Sequence, residues 1–186
     1  MVPSGTEHDT KTIAKREPWL RGTLGEVPCV ARGVLHALEL AREDVERWCG
    51  ALNSEQLEAR PLGLASVGFQ LRHIARSLDR LLTYAEGREL SAAQLEELRS
   101  EMRPSEGRRK LFEEFEGALE KSATRVRALQ GTDLEEARFV GKLKLPSTVG
   151  GLLVHIAEHA QRHVGQAITT AKIVVAGHSQ FPLDAS

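Results

Sequence analysis

Three histidines recur every four residues in the segment HIAEHAQRHVGQ, which runs from His155 to Gln166. The whole chain contains seven histidines, so this concentration is unusual. A step of four residues overshoots one helical turn by only about 40°, so His155, His159 and His163 form one narrow stripe on a helix. Imidazoles at i and i+4 can converge on one ion, as in HExxH zinc sites. The spacing predicts a metal site, and it leaves open whether the pair is His155/His159 or His159/His163.

An internal echo of the sequence identifies a candidate for the third ligand. SVGFQLRHIA begins at Ser66 and TVGGLLVHIA begins at Thr148, with six identities in ten positions. The two hydroxyl residues are predicted N-caps, because their side chains can accept a hydrogen bond from a free N–H of the first helical turn. The echo favours one helical unit used twice over chance convergence, and it places His73 and the His155 cluster at comparable depths. Imidazoles without a thiolate suit zinc, nickel, iron or copper rather than calcium or magnesium.

Apolar residues at helical spacing predict the elements that must position these histidines. Each of four such segments is followed by a glycine, which suits a left-handed residue just past a helix. These glycines are Gly50, Gly87, Gly131 and Gly177. The sequence therefore predicts an all-α four-helix bundle, with His73 on the second helix and the histidine stripe on the fourth. SAAQLEELRSE predicts a short extra helix between the second and third helices, and residues 137–145 predict one short extended segment.

Composition sets the remaining expectations. The 186 residues predict a flexible N-terminal arm at 1–27, one bundle at 28–178 and a C-terminal tail at 179–186. The net charge of −1 argues against nucleic acid as the main partner. There is no apolar run long enough for a membrane span and no signal-peptide core, so we expect a cytoplasmic protein that does not bind membranes. The charged run from Arg99 to Lys110 favours a solvated linker over an anion site.

At this point the sequence resembles a known family. SVGFQLRHIARSLDRLLTYAEGRELS together with LLVHIAEHAQRHVGQAI is similar to the DinB/YfiT-like superfamily of bacterial four-helix proteins, over roughly residues 35–173. The most specific element is the pattern H-x-x-x-H-x-G-Q on the fourth helix, and this chain has Val164 where many members have arginine. The resemblance implies a divalent metal, zinc, nickel or iron, held by His73, His159 and His163.

The resemblance also carries implications about the other residues and about function. His155 becomes a surplus histidine, which we expect to be a core residue or a support for the ligands, and Gln166 is a second candidate support. Three protein ligands leave an open coordination position, as in catalytic zinc sites. The implied function is a metal-dependent enzyme, a thiol S-transferase or a hydrolase, with a small-molecule substrate, possible use of a low-molecular-weight thiol, and possible homodimers. The alternatives are a non-catalytic metal-binding or stress-response bundle, and a helical module whose histidines bind no metal.

Overall fold

The structure is a computed structural model that describes residues 16–104 and 107–179. Within these ranges the chain forms six α-helices and one two-stranded sheet. The helices are α1 (Cys29–Cys49), α2 (Ser54–Glu58), α3 (Val67–Ala85), α4 (Ala92–Ser100), α5 (Arg108–Ala128) and α6 (Val149–Ser179). The strands are β1 (Ala137–Val140) and β2 (Leu145–Thr148). The predicted all-α bundle is confirmed, with α1, α3, α5 and α6 as its four long helices. None of the described helices is both long and apolar enough to cross a membrane.

The helices that carry the histidines, α3 and α6, run antiparallel. Thr170 of α6 donates a hydrogen bond to the carbonyl oxygen of Ala65, just before α3, at 3.2 Å. Further along α3, the Gln70 side chain meets His163, which lies earlier on α6. Since partners on α6 come earlier as residues on α3 come later, the two helices point in opposite directions.

Ion pairs show that α3 and α5 run parallel, because Arg76 pairs with Glu114 at 2.7 Å and Asp79 pairs with Arg125 at 2.6 Å. The chain must therefore return along the length of the bundle between them, and the short helix α4 forms part of that return. This helix confirms the predicted extra element in the connection. The remaining long helix, α1, runs with α6, as contacts of Ala37 with Gln161 and of Trp48 with Lys172 show.

The N-caps predicted from the echo are both present. Ser66 Oγ accepts a hydrogen bond from the Phe69 N–H at 3.1 Å, and Thr148 Oγ1 accepts one from the Gly151 N–H at 3.0 Å. Each hydroxyl satisfies one of the N–H groups that the first helical turn leaves without a partner. The shared sequence thus starts α3 and α6 in the same way.

Glycine marks the helix ends less regularly than predicted. Gly87 and Gly131 follow α3 and α5 with positive φ values of 74° and 90°, as expected for the left-handed region. The prediction is wrong at Gly177, because α6 continues to Ser179. At Gly50 the helix does end, but the residue is right-handed, with φ of −63°.

The predicted single extended segment is a β-hairpin. Strands β1 and β2 pair antiparallel, with Val140 opposite Leu145 and Ala137 opposite Thr148. The connecting loop begins at Gly141 and ends at Lys144, which both have positive φ. Residues 137–145, predicted as one extended segment, therefore contain β1, the turn and only the first residue of β2. The hairpin leads directly into α6.

The buried face of each long helix contributes to one hydrophobic core. Residues 1–15 of the predicted arm and 180–186 of the predicted tail lie outside the described residues. Within the described end of the arm, Val27 belongs to the core and Pro18 is buried. Arg21 in the same stretch forms ion pairs with Glu39 and Glu43 of α1. The domain boundaries themselves stay a prediction.

Candidate metal centre

Three histidines from α3 and α6 converge at one point between the two helices. One ring nitrogen from each of His73, His159 and His163 lies within 4.8 Å of the other two. The ring centroids are 5.0 Å apart for His73 and His159, 4.4 Å for His73 and His163, and 4.5 Å for the pair on α6. In the described part of the chain, this is the one group of three potential ligands that meets so closely. The structure brings together the three expected residues, and their role as ligands stays a prediction.

His155 does not join this cluster. Its side chain is 44% exposed and its Nδ1 lies 3.5 Å from the carboxylate of Glu158. Its ring centroid is 5.5 Å from that of His159 and the residue is absent from the converging group. The interpretation of His155 as a core residue is therefore wrong. His73 meets His159 and His163 of the stripe rather than His155, its equivalent in the sequence echo, because α3 and α6 are antiparallel.

Two side chains lie within hydrogen-bond distance of the Nδ1 atoms of His73 and His163. His73 Nδ1 lies 3.0 Å from Glu101 Oε2, and His163 Nδ1 lies 2.7 Å from Gln70 Oε1. Both partners are oxygen acceptors, so they favour the tautomer with the proton on Nδ1. That tautomer leaves the Nε2 lone pair of each ring available for a metal ion.

Glu101 contacts the candidate site, and the sequence reasoning missed it. It was placed in a solvated linker, but its side chain is only 7% exposed. Its second carboxylate oxygen, Oε1, accepts a hydrogen bond from Arg80 at 2.6 Å, and its main-chain oxygen accepts one from Arg72 Nε at 3.3 Å. The end of α4 therefore turns back onto α3 and buries the carboxylate behind the His73 ring.

Part of this arrangement did have a signal in the sequence. Gln70 lies three residues before His73 and Arg80 lies seven residues after it, so all three side chains share one face of α3. Polar residues on the buried face of a helix need partners, and here those partners are a ligand candidate and its carboxylate. Glu101 itself carried no periodic signal, because its position depends on how the connection folds.

Burial and mutual repulsion keep His159 and His163 neutral. Burial lowers the pKa of His159 to about 3, with further contributions from His163 and His73. Burial likewise lowers the pKa of His163 to about 4, helped by His73 and Arg162, while hydrogen bonding with Gln166 acts in the opposite direction. Neutral imidazole is the form that binds metal.

The carboxylate behind the cluster has the opposite charge preference. Burial works to raise the pKa of Glu101, but hydrogen bonds from His73 and Arg80 outweigh it, and the net effect lowers that pKa. Glu101 is therefore ionised at neutral pH. Its negative charge balances Arg80. It would also stabilise the positive charge that the His73 imidazole acquires when it binds an ion.

One atom in the cluster tests whether a metal ion fits. His159 Nε2 is buried and has no hydrogen-bond partner. Among the side-chain nitrogens and oxygens of the described residues, no other buried atom lacks one. Such a buried unsatisfied group costs about 1–3 kcal/mol. A cation coordinated by the three Nε2 atoms would satisfy it, and three imidazoles match the preferences of zinc, nickel and iron. The residues present fit a divalent ion.

Comparison with known proteins agrees with this fold and this donor set. A family model of the DinB superfamily matches residues 37–167, which is most of the chain and includes all three converging histidines. The chain belongs to the DinB superfamily. Comparison with curated proteins gives no match. The family assignment confirms the resemblance seen in the sequence, and together with the histidine cluster of this DinB protein it is compatible with metal binding.

Proposed function

We propose that this DinB-superfamily protein is a metal-dependent enzyme that acts on a small-molecule substrate. One divalent ion, zinc, nickel or iron, would be held by His73, His159 and His163. The observation that carries the proposal is the buried, unpartnered Nε2 of His159, on a ring whose centroid lies 5.0 Å from that of His73 and 4.5 Å from that of His163. The Nδ1 atoms of those two rings are already engaged. A purely structural cluster would be expected to satisfy His159 Nε2 within the protein.

A divalent ion bound there would lower the pKa of a coordinated thiol or water and hold it in its nucleophilic, deprotonated form. The residues of the chain supply the setting for that chemistry. The three imidazoles leave a coordination position free for the thiol or water, and Glu101 and Gln70 orient the rings of His73 and His163. This arrangement supports thiol S-transfer with a low-molecular-weight thiol, or hydrolysis.

The test combines metal analysis with turnover. The purified protein should carry one divalent ion per chain, and His159→Ala should lose it while keeping a helical circular dichroism spectrum. His155→Ala is the matched control, because it removes an imidazole from the same helix outside the cluster. The loaded protein should convert electrophiles in the presence of a low-molecular-weight thiol, or hydrolyse activated esters or amides, and a chelator should abolish the activity.

The negative outcomes separate the alternatives. A loaded protein that turns over none of these substrates would overturn the enzyme proposal in favour of a non-catalytic metal-binding or stress-response protein. A wild-type protein that takes up no divalent ion at neutral pH would overturn the metal site itself. In that case the chain would be a helical module with an unused histidine cluster.

A further inference from the structure

A cavity of about 510 Å³ adjoins the histidine cluster. It lies between the start of α3, the loop before it, and the second half of α6. Its walls include Gln70 and His163, which belong to the cluster, and Phe69, whose ring stacks on His73 at 5.5 Å between centroids. The volume lies in the range of small-molecule sites, about 300–1,000 Å³. A molecule filling it would contact His163 itself and the Phe69 ring that stacks on His73.

A larger hollow of about 670 Å³ lies elsewhere, between the end of α3 and the hairpin. It contains none of the three histidines, and its walls are rich in charged side chains that pair with one another, as Lys144 does with Glu89. The smaller cavity is therefore the one connected to the candidate chemistry.

The walls of the 510 Å³ cavity offer few free hydrogen-bond donors. The hydroxyl of Thr170 donates to the carbonyl oxygen of Ala65, and that of Thr169 donates to the carbonyl oxygen of Gly165. The remaining surface is largely apolar, and Leu64 at its rim is 40% exposed. Apolar surface that stays in contact with water in this way favours an apolar occupant.

The charge around the cavity determines which group of the bound molecule can lie next to the metal position. Arg162 lines the cavity beside His163 and brings a positive charge there, although Glu158 pairs with it. A divalent ion would add two further positive charges. Cationic molecules are therefore disfavoured, and a group that becomes negatively charged on coordination is favoured.

We infer that this cavity receives the apolar part of the substrate, a group of about the size of one aromatic ring, while a thiolate or similar anionic donor takes the open metal position. The inference rests on the proposed metal site and specifies the substrate class for it. Thiols that carry an apolar ring should therefore bind more tightly than small polar thiols that cannot fill the cavity. Burial of a phenyl-sized group should increase the affinity about tenfold or more.

The test uses the cobalt(II)-loaded protein, because a thiolate bound to cobalt is detected by its absorbance without any turnover. Titration with phenylmethanethiol should give a dissociation constant about tenfold or more below that for 2-mercaptoethanol. Gly165→Leu should remove this preference, because an added Cβ at Gly165 meets nothing within 4 Å and a larger side chain would occupy the cavity. Gly33→Leu on α1 is the matched control, since that glycine is helical, exposed and equally free of neighbours.

A second variant keeps the test decisive if Gly165→Leu disturbs the site. Leu64→Ser changes the rim of the cavity without touching a ligand candidate, and it should reduce the preference by several-fold while cobalt affinity stays the same. Cobalt binding with equal affinity for the two thiols would overturn the inference and leave the proposed metal site standing. A preference that is unchanged in both variants would overturn it as well. Failure of the wild-type protein to bind cobalt would instead remove the metal site on which the inference rests.

Discussion

Glu101→Gln is the substitution that most directly tests the arrangement behind the histidines. The carboxylate accepts hydrogen bonds from His73 through one oxygen and from Arg80 through the other, at 3.0 and 2.6 Å. Glutamine has the same shape but only one oxygen acceptor, and its other terminal atom is a donor. Either His73 or Arg80 must therefore face a donor in the variant, and the negative charge between them is lost.

The two possible orientations of the amide have different consequences. If its oxygen faces Arg80, His73 loses its support, and metal affinity should fall about 10- to 100-fold, or roughly 1.4–2.7 kcal/mol. If its oxygen faces His73, Arg80, whose side chain is only 11% exposed, loses its carboxylate partner. Breaking a buried ion pair by removing one partner costs about 3–5 kcal/mol. In either case the loss in zinc-binding free energy and the loss in free energy of unfolding should together exceed about 1 kcal/mol.

Two assays separate these effects. Competition with a chromophoric chelator measures the affinity for zinc, and urea denaturation of the metal-free protein measures its stability. Glu97→Gln is the control, because it removes the same charge from an exposed position of α4. A Glu101→Gln protein that matches both wild type and Glu97→Gln in zinc affinity and in stability would refute the role assigned to this carboxylate.

Three further predictions address the cluster and its helices. His163→Ala should lose its ion in metal analysis, whereas His155→Ala should retain it at saturating concentration; the reverse result would place the ligand pair one turn earlier. Stability of the metal-free protein should fall as pH is lowered from about 6.5 toward 4, because the pKa values of His159 and His163 drop to about 3 and about 4 on folding and the unfolded chain takes up protons first. A flat thermal-melting profile over that range would contradict those depressed pKa values. Ser66→Ala should destabilise the fold by about 1 kcal/mol in urea titrations, since α3 loses its N-cap, and an unchanged midpoint would show that the cap contributes little.

The features that the sequence predicted correctly are those set by local geometry. The helical repeat places His155, His159 and His163 on one face of α6, because residues four apart share a face. The choice of His159 and His163 among them came from the family resemblance. The N-caps follow from a hydroxyl residue placed just before an apolar helical pattern. The shared face and the N-caps both depend on a few neighbouring residues, so the rest of the chain did not have to be known.

The features that were missed depend on how distant segments meet. Glu101 follows a helix with few apolar residues, in a stretch whose charges resemble a solvated linker. It becomes buried only because the return connection between the parallel helices α3 and α5 crosses over His73. Nothing within the linker encodes that crossing, whereas Gln70 and Arg80 on α3 were recognisable as polar residues on a buried face.

The echo between α3 and α6 shows why sequence equivalence and spatial equivalence differ here. His73 and His155 each lie seven residues after their N-cap, since 73 − 66 and 155 − 148 are both 7. The contact between Gln70 and His163 pairs the fourth residue after one cap with the fifteenth after the other. In antiparallel helices these offsets have a constant sum, here 4 + 15 = 19, so His73 lies level with the twelfth residue after the cap of α6, which falls between His159 and His163. His155 is about five residues short of that level, or roughly 7–8 Å along the helix axis. The duplicated histidine therefore cannot complete the cluster by symmetry, and the site uses the pair located one and two turns further along α6.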